Sequence, residues 1–500
     1  MPKIINAIAV GLLVSMVSII SPCASAAKAA PVENFQKTMD RLVTHSRIKK
    51  SHLGLVVTRV ANGKILASLN KSSRMTPASL TKIVTAAAIL EKMPVGHQFE
   101  TDLLTTAPEK NGVLNGAIYL RGGGDPGFVS ESMWCLVNEF LRTGIKTIRG
   151  DIIVDDTLFD KVRFDPSRDQ TLVDRAYDSP IGAMTFNWSA VNIFVRPGQT
   201  AGEPARVFSD PENEYIKIVD HATTSARGQT DIHVTNQDIY EERREQTRGA
   251  QNADANAHET IVVSGHIPKG AKEFVAYKSI SRPAIWSGYQ LKAFLHERGI
   301  NVTGMIRTGK TPDGAKILAA QKSKSIEQLI SEMMKYSNNF IAEILTKDLG
   351  VQEGGAPGTM QKGMAAIHGF LSELHLKSGD DYTMVSPSGL SRENSFRPID
   401  LLHVLEHVRK RFQIYPEYAA ALPIGGVDGT LRHWLKGSDL LGIVRAKSGH
   451  LDGVVGLGGF AGARDGEIYE FVFLFNGTAK ESGRAATLFD SLVSELLKAG

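Results

Sequence analysis

The chain has 500 residues, of which 42% are hydrophobic and 22% are charged, and its formal net charge is +4. This is the composition of an ordinary globular protein, and the length suggests roughly two to four domains. The net charge is too small and too evenly mixed for a protein that binds nucleic acid or adsorbs to an acidic membrane surface.

The first 26 residues have the layout of a cleavable secretory signal. Lys3 precedes a mostly apolar run at residues 4–20, and the small residues at 23–27 form an A-x-A-like cleavage site. Because the run is short for a membrane span, a cleaved signal is favoured over an anchor. We therefore expect a periplasmic protein, with membrane association left open. Cys135 is the one cysteine of such a mature chain, so no intramolecular disulfide is expected.

The N-terminal part predicts a hairpin followed by an apolar helix. Residues 53–59 and 65–69 read as strands on either side of Asn62-Gly63, a strong turn signal. Apolar residues then recur at helical spacing over residues 79–93. Ser79 is expected in the first turn of that helix.

The middle and the end of the chain differ in texture. Short β-like runs separated by turn-rich pieces fill the middle, at 113–120, 148–154, 215–219 and 259–263. Helical periodicity returns at Ser325, and a second hairpin and an amphipathic helix close the chain. Hairpins near both ends suggest one shared sheet. We expect an α+β fold in which residues 27–100 and 315–500 form the catalytic domain and residues 101–314 form a strand-rich insertion.

Ser79-Leu80-Thr81-Lys82 places a hydroxyl and an amine one helical turn apart, so that both project from one face. A serine becomes nucleophilic when a base takes its proton, and a desolvated lysine is such a base. The spacing alone is a weak signal, because Ser46/Lys49 and Ser68/Lys71 share it. The apolar helix that would bury Lys82 favours Ser79.

Two later motifs each have an ordinary structural interpretation. Ser337-Asn338-Asn339 lies between two apolar helical runs, where a serine often caps a helix. Lys447-Ser448-Gly449 is followed by His450 and a strand pattern, and a lysine at a strand end is usually solvated. In a catalytic interpretation, the lysine and the hydroxyl hold a substrate carboxylate, and the glycine lets substrate approach the strand.

The order S-x-x-K, S-x-N and K-[ST]-G is a joint condition that chance seldom meets, and it resembles that of class A β-lactamases and penicillin-binding proteins. The long gap from Lys82 to Ser337 is similar to that of the penicillin-binding protein 4 type, peptidase family S13. Further strings resemble that family, at residues 120–126, 150–156, 177–192, 388–392 and 425–431.

The resemblance implies a β-lactamase/DD-peptidase-like catalytic domain that cleaves D-alanyl-D-alanine bonds of peptidoglycan stem peptides. Lys82 would deprotonate Ser79, and the N–H groups of Ser79 and His450 would form the oxyanion hole. Ser337 would relay a proton to the leaving amine. The remaining implied roles are orientation of the substrate by Asn339 and capture of its carboxylate by Lys447, Ser448 and Gly449. β-Lactam antibiotics would inhibit the enzyme by acylating Ser79, and no metal or other cofactor is required.

The sequence departs from this family's pattern at two places. Ser448 stands where the family usually has threonine, which keeps the hydroxyl but can alter substrate preference. Ser386-Pro387 stands where an acidic residue and a glycine are usual, which puts any role of that loop in doubt.

Several alternatives stay open at this point. A serine β-lactamase shares all three motifs, and a non-catalytic peptidoglycan-binding protein would share the fold. His403 to His407 match the H-x-x-E-H pattern of zinc peptidases, although no third ligand is evident. The sequence does not separate carboxypeptidase from endopeptidase activity, and a homodimer is one open alternative for the oligomeric state.

Overall fold

The computed structural model describes residues 35–165, 167–168, 175–239, 258–437 and 440–498. The predicted signal at residues 1–26 lies outside them. The helices are α1 (Phe35–Ser46), α2 (Thr81–Lys92), α3 (Ser130–Leu141), α4 (Pro283–Glu297), α5 (Ile326–Lys335), α6 (Asn339–Gly354), α7 (Met360–Glu373), α8 (Pro398–Lys410), α9 (Tyr415–Ala421) and α10 (Ser482–Lys498).

The strands are β1 (Leu53–Arg59), β2 (Ile65–Leu69), β3 (Glu100–Thr105), β4 (Glu109–Lys110), β5 (Val113–Leu114), β6 (Ile118–Arg121), β7 (Thr147–Ile148), β8 (Ile152–Asp155), β9 (Ala190–Arg196), β10 (Arg206–Asp210), β11 (Ile216–Ser225), β12 (Asp231–Asn236), β13 (Glu259–Pro268), β14 (Phe274–Ser279), β15 (Asn301–Val302), β16 (Ile306–Thr308), β17 (Lys316–Lys322), β18 (Tyr382–Thr383), β19 (Ser395–Phe396), β20 (Val444–Leu451), β21 (Val454–Gly462) and β22 (Ile468–Asn476).

One antiparallel sheet joins the two ends of the chain. Its strand order is β2-β1-β22-β21-β20, and β1 pairs with β22 in a register that sets Leu53 opposite Phe475. Two hairpins, β1–β2 and β21–β22, thus meet along one pair of strands. The architecture is α+β, as predicted.

Both faces of this sheet are covered by helices. Leu53, Leu55 and Val57 belong to a core that includes residues of α1 and α10, whereas Val56 belongs to a core with α2 and α8. Successive side chains of a strand point to opposite faces, so a buried strand needs apolar residues at nearly every position. Each fully buried aliphatic side chain contributes about 1.5–3 kcal/mol of transfer free energy.

The inserted segment has its own sheets and its own apolar core. Two of its sheets have the orders β16-β8-β6-β3-β17 and β15-β7-β5-β4. The predicted runs 113–120 and 148–154 are wrong as single strands, because each divides into two short strands that belong to different sheets. The last strand of the larger sheet, β17, ends at Lys322. The predicted boundary at residue 314 therefore lies one strand before this sheet is complete.

A stretch of the insertion that we call the seam segment (residues 158–165, 167–168 and 175–183) packs on α6. Phe159 and Ile181 share a small core with Phe340 and Ile344. The ammonium of Lys347, whose side chain is fully buried, donates to the Asp160 carboxylate at 2.5 Å. The seam segment thus joins the insertion to the helix that begins at Asn339.

Candidate active site

Ser79 lies in a 3-10 turn, Ala78–Leu80, that leads directly into α2. The predicted helix over 79–93 is therefore confirmed from residue 81 onward, with Ser79 one turn earlier than its start. Ala78 has a φ of +50°, a conformation that non-glycine residues rarely adopt. This bend presents Ser79 partly exposed, while Lys82 behind it is buried.

The Lys82 ammonium has three acceptors within reach. Its Nζ lies 3.3 Å from Ser79 Oγ, 2.6 Å from Asn339 Oδ1 and 2.5 Å from the carbonyl oxygen of Ser388. Burial lowers the pKa of Lys82 well below its usual value, and the charge of Lys447 lowers it further. A lysine with a depressed pKa next to a serine hydroxyl has the arrangement of a general base and its nucleophile.

Ser337 occupies the turn between α5 and α6 with a φ of +56°. It does not cap α6, because Asn338 takes that position and accepts from the N–H of Ile341 at 3.1 Å. Asn339, the first residue of α6, instead points its side chain to Lys82. Within the S-x-N motif, Asn338 therefore caps α6, whereas the side chains of Ser337 and Asn339 contact Lys447 and Lys82.

Lys447 is buried within β20 and is not a solvated strand-end residue. Its Nζ donates to Ser337 Oγ at 3.0 Å and to the carbonyl oxygen of Ser448 at 2.7 Å. Burial lowers the pKa of Lys447 to about 7. The Ser448 hydroxyl donates to Thr430 Oγ1 at 2.6 Å. The three motifs thus meet in one place, with Ser337 bonded to Lys447 and Asn339 bonded to Lys82.

Gly449 allows β20 to pack closely against the turn that holds Ser79. A Cβ at this position would lie 2.8 Å from the carbonyl oxygen of Pro77 and 3.0 Å from Leu80. The sequence pattern predicts that Gly449 makes room for the substrate beside the strand. The structure shows instead that it lets the strand approach the turn that holds Ser79.

β20 is an edge strand whose even-numbered residues turn their backbone groups outward. Val444 O accepts from Gly425 N, and Ala446 N donates to Pro423 O. By the two-residue alternation of a strand, Ser448 and His450 have their backbone groups on the same edge. The turn that holds Ser79 lies against Gly449, between these two residues, and the predicted oxyanion hole requires the outward-facing His450 N–H.

A loop with the unusual Ser386-Pro387 pair forms one wall of the site. Gly389 has a φ of +81°, and a Cβ there would lie 2.1 Å from Ala78 O. Ser386 Oγ and Ser388 Oγ lie 3.0 Å apart, and the Ser388 carbonyl accepts from Lys82. The loop that departs from the family pattern therefore contacts Lys82 directly.

Sequence reasoning missed four residues that contact the site directly or through one another. Thr430 accepts from Ser448 and the Ser388 carbonyl accepts from Lys82, while Glu343 accepts from the Ser388 hydroxyl and from Arg168. Glu343 lies four residues after Asn339, so the two share a helix face, and a carboxylate within the apolar run 340–345 was a signal that could have identified it. Arg168 carries no such signal, because Glu343, which it contacts, is 175 residues away in sequence.

The H-x-x-E-H pattern falls on α8. His407 Nε2 lies 2.8 Å from Glu91 Oε1, and His403 is exposed. In the described part of the chain, no group of three or more metal-binding side chains comes together. Nor does any helix there have the length and apolarity needed to cross a membrane.

Comparison with known proteins agrees with this geometry. The family model described as D-Ala-D-Ala carboxypeptidase 3 (S13) matches residues 35–493. A D-alanyl-D-alanine carboxypeptidase of Actinomadura sp. is 28% identical over 472 residues, which cover 91% of this chain and 84% of that protein. The D-alanyl-D-alanine carboxypeptidase DacB of Haemophilus influenzae is 27% identical over 437 residues, covering 85% and 86%.

Solved structures share the fold. The penicillin binding protein 4 (dacB) of Haemophilus influenzae has a TM-score of 0.73 at 24% identity, covering 91% of this chain and 99% of that one. A predatory peptidoglycan endopeptidase of Bdellovibrio bacteriovorus has a TM-score of 0.51 at 16% identity, covering 89% and 92%. With the family model spanning nearly all described residues, the chain belongs to the D-Ala-D-Ala carboxypeptidase 3 (S13) family.

Proposed function

We propose that Ser79 is the nucleophile of a D-alanyl-D-alanine carboxypeptidase and endopeptidase that acts on peptidoglycan stem peptides. The observation that carries this proposal is the convergence of all three motifs, with Lys82 Nζ 3.3 Å from Ser79 Oγ. The family and the relatives' names support the bond type. Export to the periplasm through residues 1–26 is part of the proposal.

In the acylation step, neutral Lys82 takes the proton of Ser79, and Ser79 Oγ attacks the carbonyl carbon of the penultimate D-alanine. The backbone N–H groups of Ser79 and His450 would receive the developing oxyanion, and one such donor is worth about 2.7–4 kcal/mol in other enzymes. Asn339 holds the Lys82 amine in place through the 2.6 Å contact. The attack produces a tetrahedral intermediate on Ser79.

Collapse of this intermediate requires a proton on the leaving amine. Ser337 Oγ would deliver it, because it accepts a hydrogen bond from Lys447 and can pass its own proton to the amine. The proton that Lys82 took from Ser79 then replaces the one that Ser337 gave up, so Lys82 is neutral again for the hydrolysis step. The terminal carboxylate of the substrate would bind beside Lys447 and the Ser448 hydroxyl. A carboxylate there raises the pKa of Lys447 and keeps it charged during binding. Water then hydrolyses the acyl-enzyme.

A β-lactam would acylate the same serine, because its opened ring stays attached. The Haemophilus influenzae protein has been solved in complex with a β-lactam. Slow release of the acyl group distinguishes this behaviour from that of a β-lactamase, which would turn the drug over rapidly.

Digestion of defined peptidoglycan fragments tests the proposal. Wild type and Ser79→Ala are incubated with a stem peptide that ends in D-alanyl-D-alanine and with a crosslinked dimer, and the products are identified by mass. We expect free D-alanine from the first substrate and monomers from the second, with neither formed by Ser79→Ala. No product from either substrate would contradict the proposal, and D-alanine without monomers would restrict it to carboxypeptidase activity.

A further inference from the structure

A buried chain of polar contacts connects the inserted segment to Lys82. Lys82 Nζ donates to the carbonyl of Ser388, and the hydroxyl of Ser388 donates to Glu343 Oε1 at 3.1 Å. Arg168 Nε donates to the same Glu343 oxygen at 3.0 Å, and its Nη1 donates to Asp178 Oδ1 at 2.6 Å. Arg168 and Asp178 belong to the seam segment. The other three residues belong to the predicted catalytic domain, residues 27–100 and 315–500, which we call the catalytic part.

From this geometry we propose that Arg168 is a positioning residue of the active site, which neutralises Glu343 and so keeps the neighbouring Lys82 able to accept the proton of Ser79. The inference rests on the proposed function, since it assumes that Lys82 is the base. It assigns a chemical task to a residue of the insertion.

The charged side chains in this chain of contacts are enclosed away from water, so solvent screens their interactions only weakly. The side chains of Arg168, Glu343 and Asp178 are 1%, 0% and 4% exposed. In such an interior a charge acts over a longer distance than at the surface, because little solvent screens it. Burial by itself lowers the pKa of Arg168, but Glu343 and Asp178 raise it above its usual value and keep the guanidinium charged.

The charged groups around Lys82 act in opposite directions. After burial, Lys447 on β20 lowers the pKa of Lys82, Glu343 on α6 raises it, and Arg168 lowers it. Burial raises the pKa of Glu343 itself, which Arg168 opposes, while the nearby carboxylates of Asp165 and Asp178 raise it further.

Without Arg168, an unpaired Glu343 carboxylate would stabilise the ammonium form of Lys82. The base would then carry its proton at neutral pH, and acylation would need a more alkaline solution. Ser388 connects Glu343 to Lys82 in a second way, because its hydroxyl donates to Glu343 and its carbonyl accepts from Lys82. A displaced Glu343 would therefore also displace the carbonyl that orients Lys82.

The pH dependence of acylation tests the role of Arg168. The acylation rate with a fluorescent penicillin is measured from pH 5 to 10 for wild type, Arg168→Met, Glu343→Gln and the double variant. In Arg168→Met we expect the acidic limb of the pH–rate profile, where protonation of Lys82 limits the rate, to move up by about one pH unit. At a fixed pH on that limb the acylation rate falls about tenfold, and it recovers at alkaline pH. In the double variant the limb should return to the wild-type position or below.

Arg163→Met is the matched control. Arg163 belongs to the same seam segment and pairs with Asp156, but it is not among the charges that act on Lys82. Its acidic limb should stay in place.

Three results would overturn the inference. The first is an acidic limb that stays in place in Arg168→Met. The second is a rate that falls by the same factor at every pH in that variant, which is what a purely structural role produces. The third is a double variant whose limb stays shifted upward. If Arg168→Met does not fold, Glu343→Gln and the double variant still decide, because an upward shift in either contradicts the account. Ser79-dependent labelling is measured separately with Ser79→Ala, so an unchanged limb in Arg168→Met alongside normal Ser79 labelling overturns this inference alone.

Discussion

The catalytic part and the inserted segment use burial differently. In the catalytic part, buried polar groups converge on Ser79, and Lys82 and Lys447 are both fully enclosed there. In the insertion, the main core is apolar, with Leu136, Phe140 and Trp286 among its members. The two parts meet at the seam segment. On the proposal made above, the insertion would influence the chemistry through the polar contacts of the seam segment.

Two buried lysines provide the sharpest contrast. Lys82 contacts Ser79, whereas Lys347 contacts Asp160 and Val162 in the seam segment. We expect Lys82→Met to lower the acylation rate by about 10³-fold or more, because general-base catalysis typically contributes 10²–10⁴-fold. Lys347→Met leaves the base in place and only loosens the contact of the seam segment with α6, so its loss of acylation rate in the folded protein should be at least about tenfold smaller than that of Lys82→Met. Stopped-flow acylation at pH 7 measures both, and comparable losses in the two variants would remove the distinction.

Cavities in the two regions should affect different properties. Leu136→Ala in the insertion core and Phe159→Ala in the seam segment should each cost about 2–5 kcal/mol of unfolding free energy. Only Phe159→Ala should also slow acylation, because it loosens the contact of the seam segment with α6. Urea denaturation gives the stabilities, and acylation is measured on the folded fraction. A slower Leu136→Ala enzyme would show that the insertion core also matters.

The boundary between the insertion and α6 also holds a pair of buried acidic side chains. Asp125 has its pKa raised to about 7, chiefly by burial, and burial with the nearby Asp125 charge raises that of Asp348 well above its usual value. An acid with a raised folded-state pKa contributes stability below pH 4 that is lost as the pH rises through 7. Asp125→Asn should therefore be neutral at pH 4 and stabilising by roughly 2–4 kcal/mol at pH 8. Thermal unfolding at both pH values measures this, and equal effects at the two would contradict it.

The smallest effect is expected at Thr430, which holds the Ser448 hydroxyl at 2.6 Å. Thr430→Val removes one hydrogen bond, worth about 1 kcal/mol, so kcat/KM for a D-alanyl-D-alanine peptide should fall about fivefold. Thr430→Ser restores the hydroxyl and should recover most of the activity. If valine and serine behave alike, Thr430 does not position Ser448.

The elements that sequence predicted well are those with local determinants. The two hairpins follow from the Asn62-Gly63 and Asp465-Gly466 turns and from the mostly apolar strands that flank them. The divided strands β5–β6 and β7–β8 were missed because two-residue strands carry no periodicity and depend on distant partners. For the same reason, the parallel pairing of β11 with β13 was not foreseeable.

The residues of the site also divide into those with a local sequence signal and those that depend on distant partners. The order of three motifs was enough to predict Ser79, Lys82, Ser337, Asn339 and Lys447, and the structure brings these five side chains together. Arg168 could not be predicted, because its contact with Glu343 forms only on folding and the two residues are 175 positions apart in sequence. The register of β20 also fixes what Gly449 packs against, which the motif alone left open.

The central claim is that Ser79 is the acylated residue. Wild type and Ser79→Ala are incubated with penicillin, digested, and the modified peptide is identified by mass spectrometry. The account predicts one stoichiometric adduct on Ser79 in the wild type and no adduct in the variant. An adduct on another residue, or one that persists in Ser79→Ala, would contradict it.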